Sequence, residues 1–516
     1  MPGRASFAAV IAPLALAIGC GAPIDEASAE LATEAGFVEI EPVEYTLHGA
    51  SGSYLATSSR ARLFYSFHPA NEGSGERPLV VAYSGGPGAS SAILFGGNTA
   101  PMTVDPERVI GGSVGENPSS WTAFANVLYV DARGAGLSYG VVPGAADATV
   151  REAEFTERNW NPYLDAADVV RVVLRFLGDH PSLSGRRVVL AGESYGGMRT
   201  EIALHLLRFP DRYEQGSSPY VDTALAAEIR AHFAKSGTTA PGQFDRAVLL
   251  QPRLTSPEQQ AAAGESLDGP GSPIAAIEPS QPYFPCAQQG DTCAPYPNVV
   301  EYLKQIGRDI YDIRRPEGSE LGRYAAMGER LADPQALGAV LGVDLGSIEG
   351  LSAGERGDAY RLFTVDPTPE ALEAPLGELP DHDRYFEMSL FDLLGKPFVS
   401  GELQALGLDR TDSRYGRLFL EDLLDTKVLI TNAAFDAAIW TPSLPEALAR
   451  YTDLVAGVER GDEAFTIEYV EGAFGAPKGA KRAVTFPTYA TSGHSIALDQ
   501  PSDLADDVAA FLLATE

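Results

Sequence analysis

The sequence predicts an α/β protein, built as a mostly parallel central sheet flanked by helices, with one inserted cap region. Three observations predict it. Short β-branched or aliphatic runs recur along the chain: "RPLVVAY" (77–83), "FANVLYVD" (124–131), "RRVVLAG" (186–192), "DRAVLLQ" (245–251), "TKVLIT" (426–431) and "RAVTFPTY" (482–489). Most are apolar nearly throughout, as strands covered on both faces must be. Helical patterns fall between and after them, and the spacing is interrupted once, over about 256–415. At 516 residues and 45% hydrophobic, the chain can bury one large core or two smaller ones. Its 70 acidic residues outnumber 38 Lys and Arg, a net charge of −32. That balance argues against a nucleic-acid partner and against binding anionic lipid through the protein surface. The acidic residues are scattered among apolar ones, which serves solubility.

In chain order, the first element is a leader. "MPGRASFAAVIAPLALAIGCGAP" carries Arg4, then small and apolar residues, then Ala17-Ile18-Gly19-Cys20. This is a signal-peptide layout over 1–20, too short to read as a spanning helix. Its end resembles a bacterial lipobox, in which cleavage precedes a Cys that becomes diacylated, here with Ala17 where Leu is usual. Lipidation of Cys20, plain secretion and an uncleaved anchor are the open readings, with small and acidic residues 21–42 as a tether. No other segment is apolar and long enough to span a membrane.

The core's first part covers 43–255. "GSYLATSSRARLFYSFHPA" (52–70) has hairpin character. The strand at 77–83 ends abruptly in "SGGPGASS", where neither strand nor helix can continue. In "LDAADVVRVVLRFLGD" (164–179), Ala166, Val170, Val173, Leu174 and Leu177 share one helical face. The next strand runs through "VVLAGESYGG" (188–197) into "GGMRTEIALHLLRF", whose Met198, Ile202 and Leu206 align likewise. The inserted cap, 256–415, holds Pro-rich loops such as "GPGSPIAAIEPSQPYFPC" and helical or irregular text. The core's second part, 416–516, closes on "SDLADDVAAFLLA", with Leu504, Val508, Phe511 and Leu512 on one face.

Chemistry enters at the strand-to-helix junction. Gly-Glu-Ser-Tyr-Gly at 192–196 places Ser194 on a tight turn that lifts its hydroxyl clear of the backbone, with Gly192 and Gly196 allowing strand and helix to approach. A serine needs a base oriented by a third group, in the chain order Ser, acid, His. His494, in "TSGHSIALDQP", follows the last strand run, and Asp436, in "VLITNAAFDAAIW", follows the one before it. Each thus stands past a strand's C-terminal end, where open α/β sheets place their sites. Asp499 and Asp425 are the rival acids. His48, His68, His180, His205, His232 and His382 have no such placement and read as structural or solvated. The glycine bend then has a purpose. An acyl-transfer serine enzyme needs two backbone N–H groups facing its oxyanion, and Gly86 with Tyr195 are the expected donors.

Cys286 and Cys293 lie in "CAQQGDTC" and can close a short loop in an oxidising compartment, contributing on the order of 2 kcal/mol. Two free thiols are the alternative. No His lies near them in sequence, which argues against zinc, and no metal or cofactor is expected.

The quoted motifs resemble the serine carboxypeptidase family of α/β-hydrolases. The matching pieces are "RARLFYSFHPA", "PLVVAYSGGPGASS", "NPSSWTAFANVLYVDARGAGLSYG", "LAGESYGG", "AVLLQPRLTSPEQ", "VLITNAAFD" and "SGHSIALDQPSDLADDVAAFL". They stand in family order over about 43–255 and 415–516, and the stretch between corresponds to the family's variable cap. The resemblance implies an α/β-hydrolase fold and peptide hydrolysis through an acyl-enzyme at acidic pH, releasing C-terminal residues. It puts Ser194, Asp436 and His494 on the triad and Gly86 with Tyr195 on the oxyanion hole. It also assigns Ser84, Gly85 and Glu193 to the substrate's terminal carboxylate, Glu193 donating when protonated. The chain departs from the family in three places: Ser84 replaces an Asn, Ala82 a Trp and Ala89 a Cys. A serine hydroxyl is shorter than an amide and offers one donor instead of two. "DARGAGLSY", with Arg133, looks partly like the turn of proline-specific aminopeptidases. Two other functions therefore stay open: an aminopeptidase or esterase/acyltransferase on the same fold, and a non-catalytic peptide-binding lipoprotein.

Overall fold

The computed structural model describes residues 31–49, 52–86, 88–109, 113–141, 158–159, 161–214, 220–254, 320–351, 426–433, 466–467, 474–475, 477–478, 484–485, 487–489 and 492–514. Cys20, Cys286, Cys293, His382, Asp425 and Asp436, the leader and the tether up to residue 30 lie outside them.

Among the described residues the main sheet has ten strands, eight of which are β1 (Glu34–Ile40), β2 (Ala61–His68), β3 (Leu79–Tyr83), β4 (Asn126–Val130), β5 (Val188–Glu193), β6 (Arg246–Leu250), β7 (Lys427–Ile430) and β8 (Val484–Thr485), while the short strand Tyr139–Gly140 pairs beside β2. The spatial order of the eight is β1-β2-β4-β3-β5-β6-β7-β8, with a short strand at Phe474–Gly475 on the far edge. β2 runs antiparallel to both β1 and β4. From β4 to β8 every pairing is parallel. All five residues of β3, of β4 and of β6 are buried, which is why these segments read as continuous apolar runs and not as alternating ones.

Alternate residues serve opposite faces. Val188 and Leu190 of β5 join Ala247 and Leu249 of β6 in a cluster with helices α1 (Pro162–Asp179) and α2 (Gly196–Arg208), which Leu225 and Ile229 of α3 (Thr223–Ser236) also enter. Val189, Ala191, Val248 and Leu250 face the second cluster, closed by Leu504, Val508 and Phe511 of α6 (Pro501–Leu513). Met327 and Leu331 of α4 (Glu320–Leu331) and Leu337 and Leu341 of α5 (Pro334–Leu341) belong to that second cluster as well. The described part of the inserted region is therefore packed into the core. α1 begins two residues before the predicted 164, with the Asn161 side chain accepting from the Leu164 N–H and Pro162 at the first helical position.

Two elements differ from the sequence reading. The segment 52–70 holds two strands, but they do not pair with each other. Gly52–Thr57 pairs with Glu44–Gly49 in a separate small sheet, while β2 enters the main one. The run 482–489 divides, 484–485 forming β8 and Thr488–Tyr489 pairing with Asn432–Ala433. Pro487 between them has no N–H to continue the ladder, and its carbonyl instead accepts from the Asn432 N–H at 3.0 Å.

Candidate active site

Ser194 sits directly past the C-terminal end of β5 with φ +56°, a left-handed conformation that L-residues seldom adopt. The turn is fixed on both sides. The Ser194 N–H donates to the Leu250 carbonyl at 2.8 Å, and the Ser194 carbonyl accepts from Gly197 at 2.9 Å and Arg253 at 2.8 Å. A Cβ on Gly192 would stand 2.2 Å from the Gly196 carbonyl oxygen, so the glycine there is a requirement of the close strand–helix approach.

The glycine bend lies against this turn. A Cβ on Gly85 would stand 2.6 Å from the Tyr195 nitrogen and 2.7 Å from the Ser194 Cβ. Gly86 has φ +93°. Both glycines are thus demanded by geometry, one by contact and one by backbone conformation. The start of the bend is held from α2: Arg199, one turn past the serine, donates to the Ser84 carbonyl at 2.6 Å. Arg199 is itself gripped by the Asp165 carboxylate through bonds of 2.7 and 3.1 Å. The far end of the bend is held by Asp131, which follows β4. One of its oxygens accepts from Ser90 Oγ, Ser91 Oγ and the Ser91 N–H, and the other from the Leu137 N–H. Burial pushes the Asp131 carboxyl above its usual range, against the lowering effect of those donors.

Glu193 ties three separate segments together. Its Oε2 accepts from Ser84 Oγ at 2.7 Å and its Oε1 from Ser495 Oγ at 3.3 Å. Ser84 opens the glycine bend, Glu193 precedes Ser194, and Ser495 follows His494. The residue beside the expected base thus touches the residue beside the expected nucleophile. His494 is partly buried, and its loop is bound by Asp499, whose Oδ2 accepts from the Gly493 N–H at 2.7 Å and Ser492 Oγ at 3.2 Å. Asp499, a rival acid by sequence, holds the loop backbone. Asp436 lies outside the described residues.

The other described histidines pack elsewhere: His48 on Ser53, His180 on Glu34, His205 on Tyr213, His232 on Gln243, and His68 against the Tyr129 ring. Arg133 is buried against Asp168 at 2.9 Å and bonds the Ser59 carbonyl at 2.8 Å, a structural anchor for its turn. Sequence reasoning missed Ser495, Asp131 and Arg199. A signal existed for the last: a cation one turn past the serine, beside the apolar Met198 and Ile202 stripe. Among the described residues no cluster of His, Cys, Asp and Glu could hold a metal ion.

A serine at positive φ between a parallel strand and a helix, on a sheet of this strand order, defines an α/β-hydrolase. Within that class, residues 43–205 match the family model described as serine carboxypeptidase, so the resemblance carried by the motifs is borne out there. Similar curated proteins include serine carboxypeptidase S10 family member 1 of Dictyostelium discoideum, 33% identical over 141 residues, which are 27% of this chain and 30% of that one. Carboxypeptidase sxa2 of Schizosaccharomyces pombe is 32% identical over 145 residues, 28% of this chain and 25% of its own. Serine carboxypeptidase 3 of Triticum aestivum is 29% identical over 195 residues, 38% of this chain and 34% of its own. These matches therefore span only a quarter to a third of the relatives' length. Among solved structures, the prohormone-processing carboxypeptidase Kex1 of Saccharomyces cerevisiae aligns over 95% of this chain and 92% of its own, at 13% identity and a TM-score of 0.45.

Proposed function

We propose that this protein is a serine-type carboxypeptidase, hydrolysing peptides through an acyl-enzyme and releasing C-terminal residues. The observation that supports it most is the Ser84–Glu193–Ser495 chain, which gathers the glycine bend, the serine turn and the histidine loop at one sheet edge. In this reading Ser194 attacks the scissile carbonyl and passes its proton to His494, which returns it to the leaving amine. Asp436 orients the imidazole, and the N–H groups of Gly86 and Tyr195 hold the oxyanion. Water then hydrolyses the acyl-enzyme by the same base. Glu193, in its neutral form, donates to the substrate's terminal carboxylate beside Ser84 and Gly85. Export through the leader, with a lipid on Cys20 and a Cys286–Cys293 bridge, belongs to the same proposal.

A second reading has an observation behind it. The single O–H of Ser84 is already engaged by Glu193, so that residue has no donor left for a carboxylate. Ester or amide hydrolysis without terminal-carboxylate selection follows from that. Labelling by a fluorophosphonate and turnover of N-blocked dipeptides, as free acids and as C-terminal amides, test both. Ser194→Ala is expected to abolish both activities, and His494→Ala to lower turnover by roughly 10⁴–10⁶. Near-normal turnover in either variant overturns the mechanism, while equal cleavage of acids and amides by the wild type overturns the carboxypeptidase assignment alone.

A further inference from the structure

We infer that Arg323 and Asp499 are positioning residues for the catalytic base, so that the inserted region sets where His494 stands. This deepens the reading just given and rests on Ser194 and His494 as nucleophile and base.

The loop carrying His494 joins two short elements. It leaves the two-residue strand at Thr488–Tyr489 and enters the four-residue helix Ile496–Asp499. The two residues just before the histidine are bound by one carboxylate. Asp499 Oδ2 takes the Gly493 N–H at 2.7 Å and the Ser492 hydroxyl at 3.2 Å, closing the loop on itself. Its other oxygen takes the Arg323 guanidinium at 3.0 Å. Arg323 stands on α4, more than 170 residues earlier in the chain, and is 5% exposed.

Arg323 does more than neutralise Asp499. It donates to the Leu498 carbonyl at 3.0 Å, at the C-terminal end of the short helix, where a cation meets the unsatisfied carbonyls. It also donates to Asp105 at 2.9 Å and lies 3.5 Å from Glu107. Asp105 in turn accepts from Asn98 at 2.9 Å, and Asn98 donates to the Ala497 carbonyl at 3.1 Å. The helix after the histidine is therefore clamped from both the segment after β3 and the inserted region. The charges facing Asp499 in this arrangement are Arg323, with Asp105 and Glu107 behind it. A planar guanidinium reaches Asp499, Asp105 and a carbonyl at once from separate nitrogens; glutamine has two N–H and no charge, and lysine gathers its three donors on a single nitrogen.

On the other side of the histidine, Ser495 is held by Glu193. The residues on either side of His494 are thus held by two clamps, one against the nucleophile's own strand and one reaching Arg323. Loosening the second would misplace the base while leaving Ser194 and its bend in place. Misplacement of a catalytic group by about 1 Å costs on the order of 10²-fold in rate.

The test is inactivation of the full chain by a fluorophosphonate across a range of concentration and pH, for Arg323→Gln, Arg323→Lys and Asp499→Asn, with Ser194→Ala alongside. For Arg323→Gln and Asp499→Asn the maximal labelling rate per folded molecule is expected to fall about 10²-fold. Half-saturating probe concentration stays near wild type, and the pH midpoint of labelling moves. Arg323→Lys, which keeps the charge, is expected to recover part of the rate. A merely structural role would lower only the folded fraction, measured by circular dichroism. If Asp499→Asn does not fold, the two Arg323 variants decide. Wild-type labelling rate and pH midpoint in folded Arg323→Gln overturn this inference while leaving the nucleophile assignment intact. Labelling that persists in Ser194→Ala overturns the assignment on which it rests.

Discussion

A methyl group on Gly85 would meet the Glu193 carbonyl oxygen at 2.5 Å as well as the backbone and side chain of the next two residues. None of these is the free end of a flexible side chain, so the bend would have to move away from Ser194. Gly85→Ala is therefore expected to slow fluorophosphonate labelling by about 10²-fold or more, the cost of losing one oxyanion donor. Intact labelling in a folded variant would show that the bend takes no part in stabilising the oxyanion. Ser194 itself carries strain at φ +56° that its three backbone bonds impose. The serine and both glycines were legible from the motif alone, because only small or special-backbone residues fit such turns. Ser495 was not legible. A serine after a histidine has no distinguishing signature until the fold sets it beside Glu193.

At the scale of the element, α1 shows where pattern reading fails. Its apolar stripe is real, but Asp165, Asp168 and Arg171 on the remaining face are buried too, at 5%, 2% and 2% exposure. Periodicity assigns such residues to solvent. The structure instead pairs Asp165 with Arg199, Asp168 with Arg133, and Arg171 with Asp222. Burial pulls the Arg199 pKa down, but the adjacent Asp165 outweighs it and holds the guanidinium above its ordinary value. Asp165→Ala leaves that cation buried without its bidentate partner and is expected to cost about 3–5 kcal/mol in urea unfolding. Replacing both residues, Asp165→Leu with Arg199→Met, should return most of that loss. A double variant as unstable as the single one would mean that the pair itself, and not the orphaned charge, sustains the fold.

Across the whole molecule, the buried histidines set an acid limit. His68 is 3% exposed, and burial pulls its pKa down to about 4. His205 falls to about 3, from burial first and then from Arg212 and Arg208. Both remain neutral when folded but bind a proton at about 6.5 when unfolded. The stability they contribute is fully present above that value and is lost as pH falls through it toward 4, about 2 kcal/mol each by pH 5. Asp131 and Asp168, raised by burial, act in the opposite sense, stabilising below the usual carboxylate range and losing that effect as pH rises through their raised values. His68→Phe keeps the edge-on contact with Tyr129 while removing the titration. Its melting temperature should drop less than that of the wild type between about pH 7.5 and 5, and parallel drops would exclude His68 as a source of the acid limit.

What the sequence by itself determined was local: apolar runs covered on both faces, a serine on a turn only glycines permit, and a bend with no room for side chains. Each is dictated by sterics or solvation within about ten residues, so each leaves its mark in the text. The pairing partners of 52–57 and 61–68, the burial of charges along α1, and the hold of Arg323 on Asp499 were decided only by tertiary structure. Those depend on which distant groups share one volume once water has been expelled. A buried charge and a solvated one are spelled with the same letter, and only the folded chain supplies the partner that tells them apart.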